Sequence, residues 1–153
     1  MNKSQKPDAH NNWMDFAFLE TEKSDCMRPE FRIGCVAVLN GKIVASGFNG
    51  YVGKLGSCET RGFCIRQKRN IPSGTQREVA YCICAEQRMI CNAARSGIRL
   101  DGAEVYVTHL PCAVCIRLMI ESGIVRVFYR NDYSCSFTKE LAHDANFELI
   151  KLN

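Results

Sequence analysis

Residues 104–129 read EVYVTHLPCAVCIRLMIESGIVRVFY, a succession that predicts a strand, a helix and a second strand. We expect the first strand over 104–108 and the second over 124–129. Pro111 stands where proline is favoured, at the first position of a helix. This helix is expected to run to Ser122-Gly123, because glycine commonly follows the last helical residue.

A hairpin precedes this unit. Residues 33–39 form an apolar β run, Asn40-Gly41 is the strongest short hairpin signal, and 42–46 return as a second strand. Apolar residues at helical spacing predict an amphipathic helix over 12–24 before the hairpin. The remaining predicted elements are helices over 85–94 and 137–144 and a last strand over 147–152.

Helices and strands therefore alternate after the initial hairpin. This order predicts an α/β fold in which helices cover both faces of a mixed five-stranded sheet, giving three α/β/α layers. The length of 153 residues suits one domain over 1–153. We expect residues 1–11, which are mostly polar, to form a flexible segment.

Composition narrows the functional classes. Hydrophobic residues make up 46% and charged residues 24% of the chain, as in ordinary globular proteins. The sequence has no apolar run of about 20 residues and no secretory signal, so we expect a cytoplasmic protein without a membrane partner. The net charge of +4 is scattered, which fits an anionic small molecule and gives no reason to expect nucleic acid.

Ten cysteines are many for this length, and in a reducing compartment clustered cysteines indicate a metal rather than disulfides. Two short segments could supply metal ligands: Cys84-Ala85-Glu86 and Pro111-Cys112-Ala113-Val114-Cys115. Cys112 and Cys115 lie one turn apart near a helix N-terminus, where the helix dipole favours thiolates. Three protein ligands leave a fourth position for water, as in catalytic zinc sites. Glu86 can face the same pocket as Cys84 only if Cys84 caps its helix.

These residues resemble the signature of the cytidine and deoxycytidylate deaminase family, H-x-E…P-C-x-x-C. The similarity covers roughly residues 12–133 and is greatest to bacterial deoxycytidylate deaminases of the competence-operon type. The first ligand departs from their pattern, because Cys84 stands where those enzymes usually have histidine. Cysteine at that place is usual in deaminases of free cytidine. The similar segments are Ser46–Gly50, Ile71–Gly74, Ala85–Gln87 and Val107–Cys112.

The resemblance implies a cytidine-deaminase-like fold, a homo-oligomer and hydrolysis of dCMP to dUMP with release of ammonia. Zinc on Cys84, Cys112 and Cys115 would activate a water, and Glu86 would move the protons. Asn49, Arg32 and Tyr133 are the substrate contacts that the resemblance implies.

A nucleotide phosphate needs cationic or N–H donors. The candidate basic residues are Arg28, Arg32, Lys54, Arg61, Arg66, Lys68, Arg69 and Arg77. A second need for positive charge comes from the metal site, because three thiolates make zinc a poorer Lewis acid. Arg88 and Arg117 are the candidates to offset that charge.

Cys26, Cys58, Cys64 and Cys82 are not explained by the catalytic site. In several members of the resembled family an early cysteine and loop residues bind a second, structural zinc, which would hold the long aperiodic stretch 48–81. Relatives usually have a histidine and a cysteine where this chain has Arg77 and Ala80, so the spacing differs. The other isolated cysteines, Cys35, Cys91 and Cys135, are expected to be small buried hydrophobic residues.

Two other functions remain open. One is a deaminase of another amino-heterocycle, such as cytidine, cytosine, guanine or tRNA adenosine. The other is a non-catalytic zinc-binding interaction module. Glu86 distinguishes an enzyme from the non-catalytic module, because a structural zinc site has four protein ligands and does not need this carboxylate.

Overall fold

The computed structural model describes residues 7–153, with side chains from residue 9 onward. Seven strands and six α-helices are present in this part of the chain. The strands are β1 Gly34–Leu39, β2 Lys42–Phe48, β3 Gly50–Tyr51, β4 Cys82–Ile83, β5 Glu104–His109, β6 Arg126–Asn131 and β7 Glu148–Lys151. The helices are α1 Pro7–Glu20, α2 Cys58–Arg61, α3 Ile65–Lys68, α4 Ala85–Arg95, α5 Ala113–Glu121 and α6 Ser136–Asp144.

Five strands form one mixed sheet in the order β2-β1-β5-β6-β7. β1 is antiparallel to β2 and to β5, whereas β5, β6 and β7 run parallel. β3 and β4 form a separate two-stranded ribbon. The predicted mixed five-stranded sheet is confirmed.

The sheet is buried on both faces, and side chains along its strands alternate between two cores. Val36, Tyr106 and Phe128 face α1, which contributes Met14 and Ala17. The neighbouring strand residues point to the opposite face, where α4, α5 and α6 pack. One helix on one side and three on the other give the predicted α/β/α layers.

The hairpin between β1 and β2 has the predicted turn. Asn40 and Gly41 have φ angles of 52° and 73°, both in the left-handed region that a two-residue type I′ turn requires. Asparagine and glycine adopt this region at low cost, so the sequence determined the turn locally.

The boundaries of two helices differ from the predictions. α1 begins at Pro7 and is followed by a 3-10 turn over Thr21–Lys23, so residues 7–11 of the segment predicted to be flexible are helical. Residues 1–6 lie outside the described part. The polar residues of this first turn and a half are compatible with a helix because Asn11 and Asn12 lie on its exposed face. In α5, Cys112 has extended angles and is the N-cap, so Pro111 precedes the helix instead of opening it.

The stretch between β2 and α4 is not one aperiodic loop. It contains the β3–β4 ribbon, the single-turn helices α2 and α3, and a 3-10 turn over Gly53–Leu55. No residue from Tyr51 to Cys84 is fully buried. Polar contacts must therefore hold this segment, since it has little apolar core of its own.

The isolated cysteines lie in three different environments. Cys35 is fully buried in the core, and Cys135 is half-buried against it, as predicted. Cys91 is exposed on α4, so the prediction that it is a buried residue is wrong. In the described part of the chain, no helix has both the length and the apolar character needed for a bilayer crossing.

Candidate metal centre and active site

Three cysteine sulfurs converge between the N-termini of α4 and α5. Cys84 is the N-cap of α4, Cys112 is the N-cap of α5, and Cys115 lies in the first turn of α5. Their sulfur atoms all lie within 4.8 Å of one another, and the Sγ atoms of Cys112 and Cys115 are 3.4 Å apart. The predicted ligand set thus comes together, and Cys84 has the capping position that the Cys84–Glu86 spacing required.

The electrostatics of this group suit a cation. Hydrogen bonding among the three thiols lowers the pKa of Cys112 and raises the pKa values of Cys84 and Cys115. The lowered pKa favours the thiolate form of Cys112, and a bound cation would favour deprotonation of the other two sulfurs. Sulfur donors at two positive helix ends fit zinc. Among the described residues, no fourth Cys, His, Asp or Glu joins the group, which matches a catalytic rather than a structural site.

Glu86 lies beside the three sulfurs but is not part of their group. It follows the Cys84 cap in the first turn of α4 and is almost completely buried. Burial, assisted by the negative charge at Cys112, raises the pKa of the Glu86 carboxyl to about 7. A buried carboxyl that titrates near neutrality can both accept and donate a proton.

Glu86 and two of the three cysteines, Cys84 and Cys112, line a cavity of about 450 Å³. Its wall combines the first turns of α4 and α5 with the loop before β1 and the segment between β2 and α4. This volume is in the range of small-ligand sites. Three arginines line it together with the acidic residues, namely Arg28, Arg66 and Arg77.

Arg77 connects the metal centre to the opposite wall. Its Nη2 donates a hydrogen bond of 2.8 Å to Cys84 Sγ, and its Nη1 donates one of 2.8 Å to the hydroxyl of Tyr133. Burial lowers the pKa of this guanidinium, but its electrostatic interactions with Cys84, Cys112 and Tyr133 outweigh that effect and raise the pKa. Arg77 therefore stays charged beside the sulfurs.

The two arginines predicted to balance this charge, Arg88 and Arg117, donate no hydrogen bond to the sulfurs. Arg88 donates to the carbonyl oxygens of Phe48 and Tyr51, and Arg117 is exposed on α5. The prediction named the wrong residues because it considered only the helices that carry the ligands, whereas Arg77 comes from the preceding loop.

Of the predicted substrate contacts, Asn49 and Tyr133 line the cavity. The Asn49 carbonyl oxygen accepts hydrogen bonds from Ser24 Oγ and Ile33 N, both 2.8 Å long, and its Nδ2 donates one to Phe31 O at 2.7 Å. Asn49 thus holds the loop before β1 in place.

Arg32 is the exception among the predicted contacts, because it is not among the residues that line the cavity. Its Nε donates to the carbonyl oxygen of Cys26 at 3.0 Å. Arg28 lines the cavity instead, with its guanidinium 4.3 Å from the ring centroid of Phe31. Three residues separate the two arginines, and the 3-10 turn that they form directs only Arg28 to the cavity.

The four unexplained cysteines line another part of the same cavity. Burial raises the pKa of the Cys58 thiol to about 11, and the neighbouring Cys64, Cys82 and Cys26 act in the same direction. The four residues are therefore neighbours in space. Their sulfurs do not meet the 4.8 Å spacing that Cys84, Cys112 and Cys115 satisfy.

Sequence reasoning missed Asp25 and did not separate Arg66 and Arg77 from the other basic loop residues. The Asp25 carboxylate accepts hydrogen bonds from the backbone N–H groups of Tyr51 and Cys58. Nothing in the local spacing of these residues indicates such roles, because each acts on a segment distant in sequence.

Residues 7–131 match the sequence profile of one protein family, the cytidine and deoxycytidylate deaminase zinc-binding region. ComE operon protein 2 of Bacillus subtilis (strain 168) is 32% identical over 124 residues, which are 80% of this chain and 60% of that protein. A deoxycytidylate deaminase of Schizosaccharomyces pombe is 28% identical over 145 residues, 94% of this chain and 44% of that enzyme. The chain thus spans less than two thirds of either relative.

A solved structure shares the fold over nearly the whole chain. It is the dCMP deaminase of cyanophage S-TIM5 in complex with dCMP and dUMP. The TM-score is 0.77 at 26% identity, with 97% of this chain and 99% of the phage chain covered.

Proposed function

The chain belongs to the cytidine and deoxycytidylate deaminase family, and on that basis we propose that it converts dCMP to dUMP with release of ammonia. The observation that carries the proposal is the buried Glu86 carboxyl, which lies beside a three-sulfur metal site without joining it. A structural zinc site would use four protein ligands and would have no need of this group. The geometry therefore favours an enzyme over a non-catalytic module.

In this mechanism Cys84, Cys112 and Cys115 would hold the zinc, which when bound would supply an activated water as nucleophile. The Glu86 carboxylate accepts one proton of the attacking water and delivers it to the ring nitrogen of the pyrimidine, while the water oxygen bonds to the ring carbon that bears the amino group. Glu86 then transfers the second proton of that water to the amino group, and the carbon–nitrogen bond breaks to release ammonia. Water and dCMP are thereby converted into dUMP and ammonia. The pKa of about 7 suits Glu86 to both directions of transfer.

We assign the phosphate to Arg28. Of the three arginines lining the cavity, Arg66 is engaged with backbone carbonyl groups and Arg77 with Cys84 and Tyr133. The guanidinium of Arg28 stacks on an aromatic ring, which leaves its N–H groups for an anion. Asn49 and Tyr133 are assigned to the nucleoside because they line the same cavity.

The proposal is tested by ammonia release from cytosine, cytidine, deoxycytidine, CMP, dCMP, guanine and adenosine. We expect kcat/KM for dCMP to exceed that for deoxycytidine by at least about 100-fold, because a site built for a phosphate leaves charged donors unpaired without it. Equal or better turnover of the nucleoside, or turnover restricted to another heterocycle, would identify a different substrate.

A matched pair of variants tests the phosphate assignment. Arg28→Gln should lower kcat/KM for dCMP about 10-fold or more, with little change for deoxycytidine. Arg32→Gln, four residues away and outside the cavity wall, should leave both values within about two-fold of the parent. If the two variants behave alike, the phosphate is not bound by Arg28.

We also propose a second, structural metal at Cys26, Cys58, Cys64 and Cys82. The proposal is supported by the mutual proximity of the four thiols and by the lack of fully buried residues from Tyr51 to Cys84. A metal could hold this segment where apolar packing does not.

We further propose that the enzyme is a homo-oligomer of the cytoplasm. Exposed apolar side chains support oligomer formation, since Val114 and Leu118 are both exposed and lie one turn apart on α5. The ten free cysteines fit a reducing compartment. Light scattering measures the oligomeric state, and cell fractionation measures the cellular location.

A further inference from the structure

We propose that Arg77 is a positioning residue that offsets the charge of the three-cysteine metal site and fixes Tyr133 beside it. The inference rests on the proposed function only in taking the three sulfurs as zinc ligands. It does not depend on which heterocycle is deaminated.

The charge of the donor set creates the need for such a residue. Three thiolates and one Zn²⁺ carry a net charge of −1, and the carboxylate of Glu86 adds another negative charge in the same buried place. A neutral histidine in place of Cys84 would remove one of these charges. The requirement for a nearby cation is therefore tied to the identity of residue 84.

Arg77 meets this requirement by direct contact. Its guanidinium donates to Cys84 Sγ with one nitrogen and to the Tyr133 hydroxyl with the other, both at 2.8 Å. Within residues 7–153, no other arginine or lysine donates a hydrogen bond to any of the three sulfurs. A hydrogen bond donated to a thiolate also draws electron density away from it, so that the ligand donates less to the metal.

The loop that carries Arg77 is held from both sides. Arg66 donates hydrogen bonds to the carbonyl oxygens of Pro72, Thr75, Gln76 and Val79, which bracket Arg77 in the chain. Ser73 donates to the Tyr133 hydroxyl at 3.0 Å, so the loop meets Tyr133 at two points. The guanidinium is thus placed by a built network rather than by the free rotation of a surface side chain.

The test compares zinc retention against a chelator at neutral pH, without substrate, in the parent and in Arg77→Gln. Loss of a hydrogen bond to a charged partner should weaken retention about 10-fold or more. Arg69→Gln, which alters an exposed arginine of the same segment, should stay within about two-fold. The Cys112→Ser variant defines how much of the bound zinc belongs to this site.

A double-mutant cycle with Cys84→His gives the decisive comparison. If Arg77 offsets the Cys84 thiolate, Arg77→Gln should change zinc retention less than about three-fold when residue 84 is histidine. An equal loss in both backgrounds, or no loss in the parent background, would overturn the inference.

A second measurement decides the matter if the double variant does not fold. Arg77→Lys keeps the charge and should recover much of the retention that Arg77→Met loses, whereas equal retention in the two variants contradicts charge compensation. Because no substrate is present, a failure here is separate from a failure of dCMP turnover. An enzyme that deaminates another heterocycle would still show the Arg77 effect.

Discussion

Glu86 is the residue on which the proposed chemistry depends most directly. Its carboxyl is buried, its pKa is raised to about 7, and it stands outside the three-sulfur group. Burial in a first helical turn is unusual for a glutamate, which normally remains exposed. The cost of that burial is consistent with a group kept for proton transfer.

We expect Glu86→Gln to retain its zinc and its fold while kcat for dCMP falls by about 10²- to 10⁴-fold, because an amide cannot relay protons. Steady-state kinetics and metal analysis on the same preparation measure both properties. Glu78→Gln is the control, since Glu78 lines the same cavity but is exposed. Turnover within a few-fold of the parent in Glu86→Gln would remove Glu86 from the mechanism.

At the scale of elements, the metal centre depends on how closely α4 approaches the sheet. Gly47 of β2 allows this approach, because a Cβ there would lie against the carbonyl oxygen of Ala85 and 2.6 Å from Met89 N. On the other face of the sheet, Gly34 allows α1 to approach in the same way, since a Cβ added at Gly34 would lie 2.8 Å from Glu20 Cβ. Only the first of these helices carries a metal ligand.

Gly47→Ala should therefore destabilise the fold by about 1–3 kcal/mol through overpacking and should also weaken zinc binding, because α4 must shift. Gly34→Ala should destabilise by a comparable amount and leave zinc binding unchanged. Urea denaturation and chelator competition measure the two effects. Equal zinc affinity in the two variants would show that the position of α4 does not control the site.

At the scale of the whole molecule, the protein consists of a well-packed sheet domain and a polar segment that encloses the cavity. The segment from Tyr51 to Cys84 has no fully buried residue, yet it carries Arg77 and three of the four additional cysteines. Asp25 and Arg66 fix it by hydrogen bonds to backbone groups. Such a segment opens more easily than the core.

If the second metal binds there, analysis should find two zinc ions per chain. Cys58→Ala and Cys64→Ala should each remove one ion, lower the melting temperature and expose residues 51–84 to limited proteolysis. Cys91→Ala, which changes an exposed cysteine of α4, is the control. One zinc per chain, with unchanged melting temperatures in Cys58→Ala and Cys64→Ala, would show that these cysteines bind no structural metal.

The amino-acid sequence was sufficient to predict the five strands of the main sheet, the four long helices and the residues of the candidate metal centre. The alternation of apolar runs specified strands and helices, and Asn40-Gly41 specified the hairpin turn. The short spacing within each pair places Cys84 near Glu86 and Cys112 near Cys115 at a helix start. That the two pairs meet at one metal was implied by their resemblance to the family signature. The helix starts near residues 7–11 and at Pro111 were not predicted correctly, because they depend on what the first helical turn packs against.

Long-range contacts in the folded chain select which distant residues complete the site. Arg77 rather than Arg88 or Arg117 reaches the sulfurs, and Arg28 rather than Arg32 lines the cavity. These choices depend on a segment without a hydrophobic period, whose path is set by hydrogen bonds to remote backbone groups. The physical reason is that such contacts join residues far apart in the chain, and no local pattern of side chains encodes them.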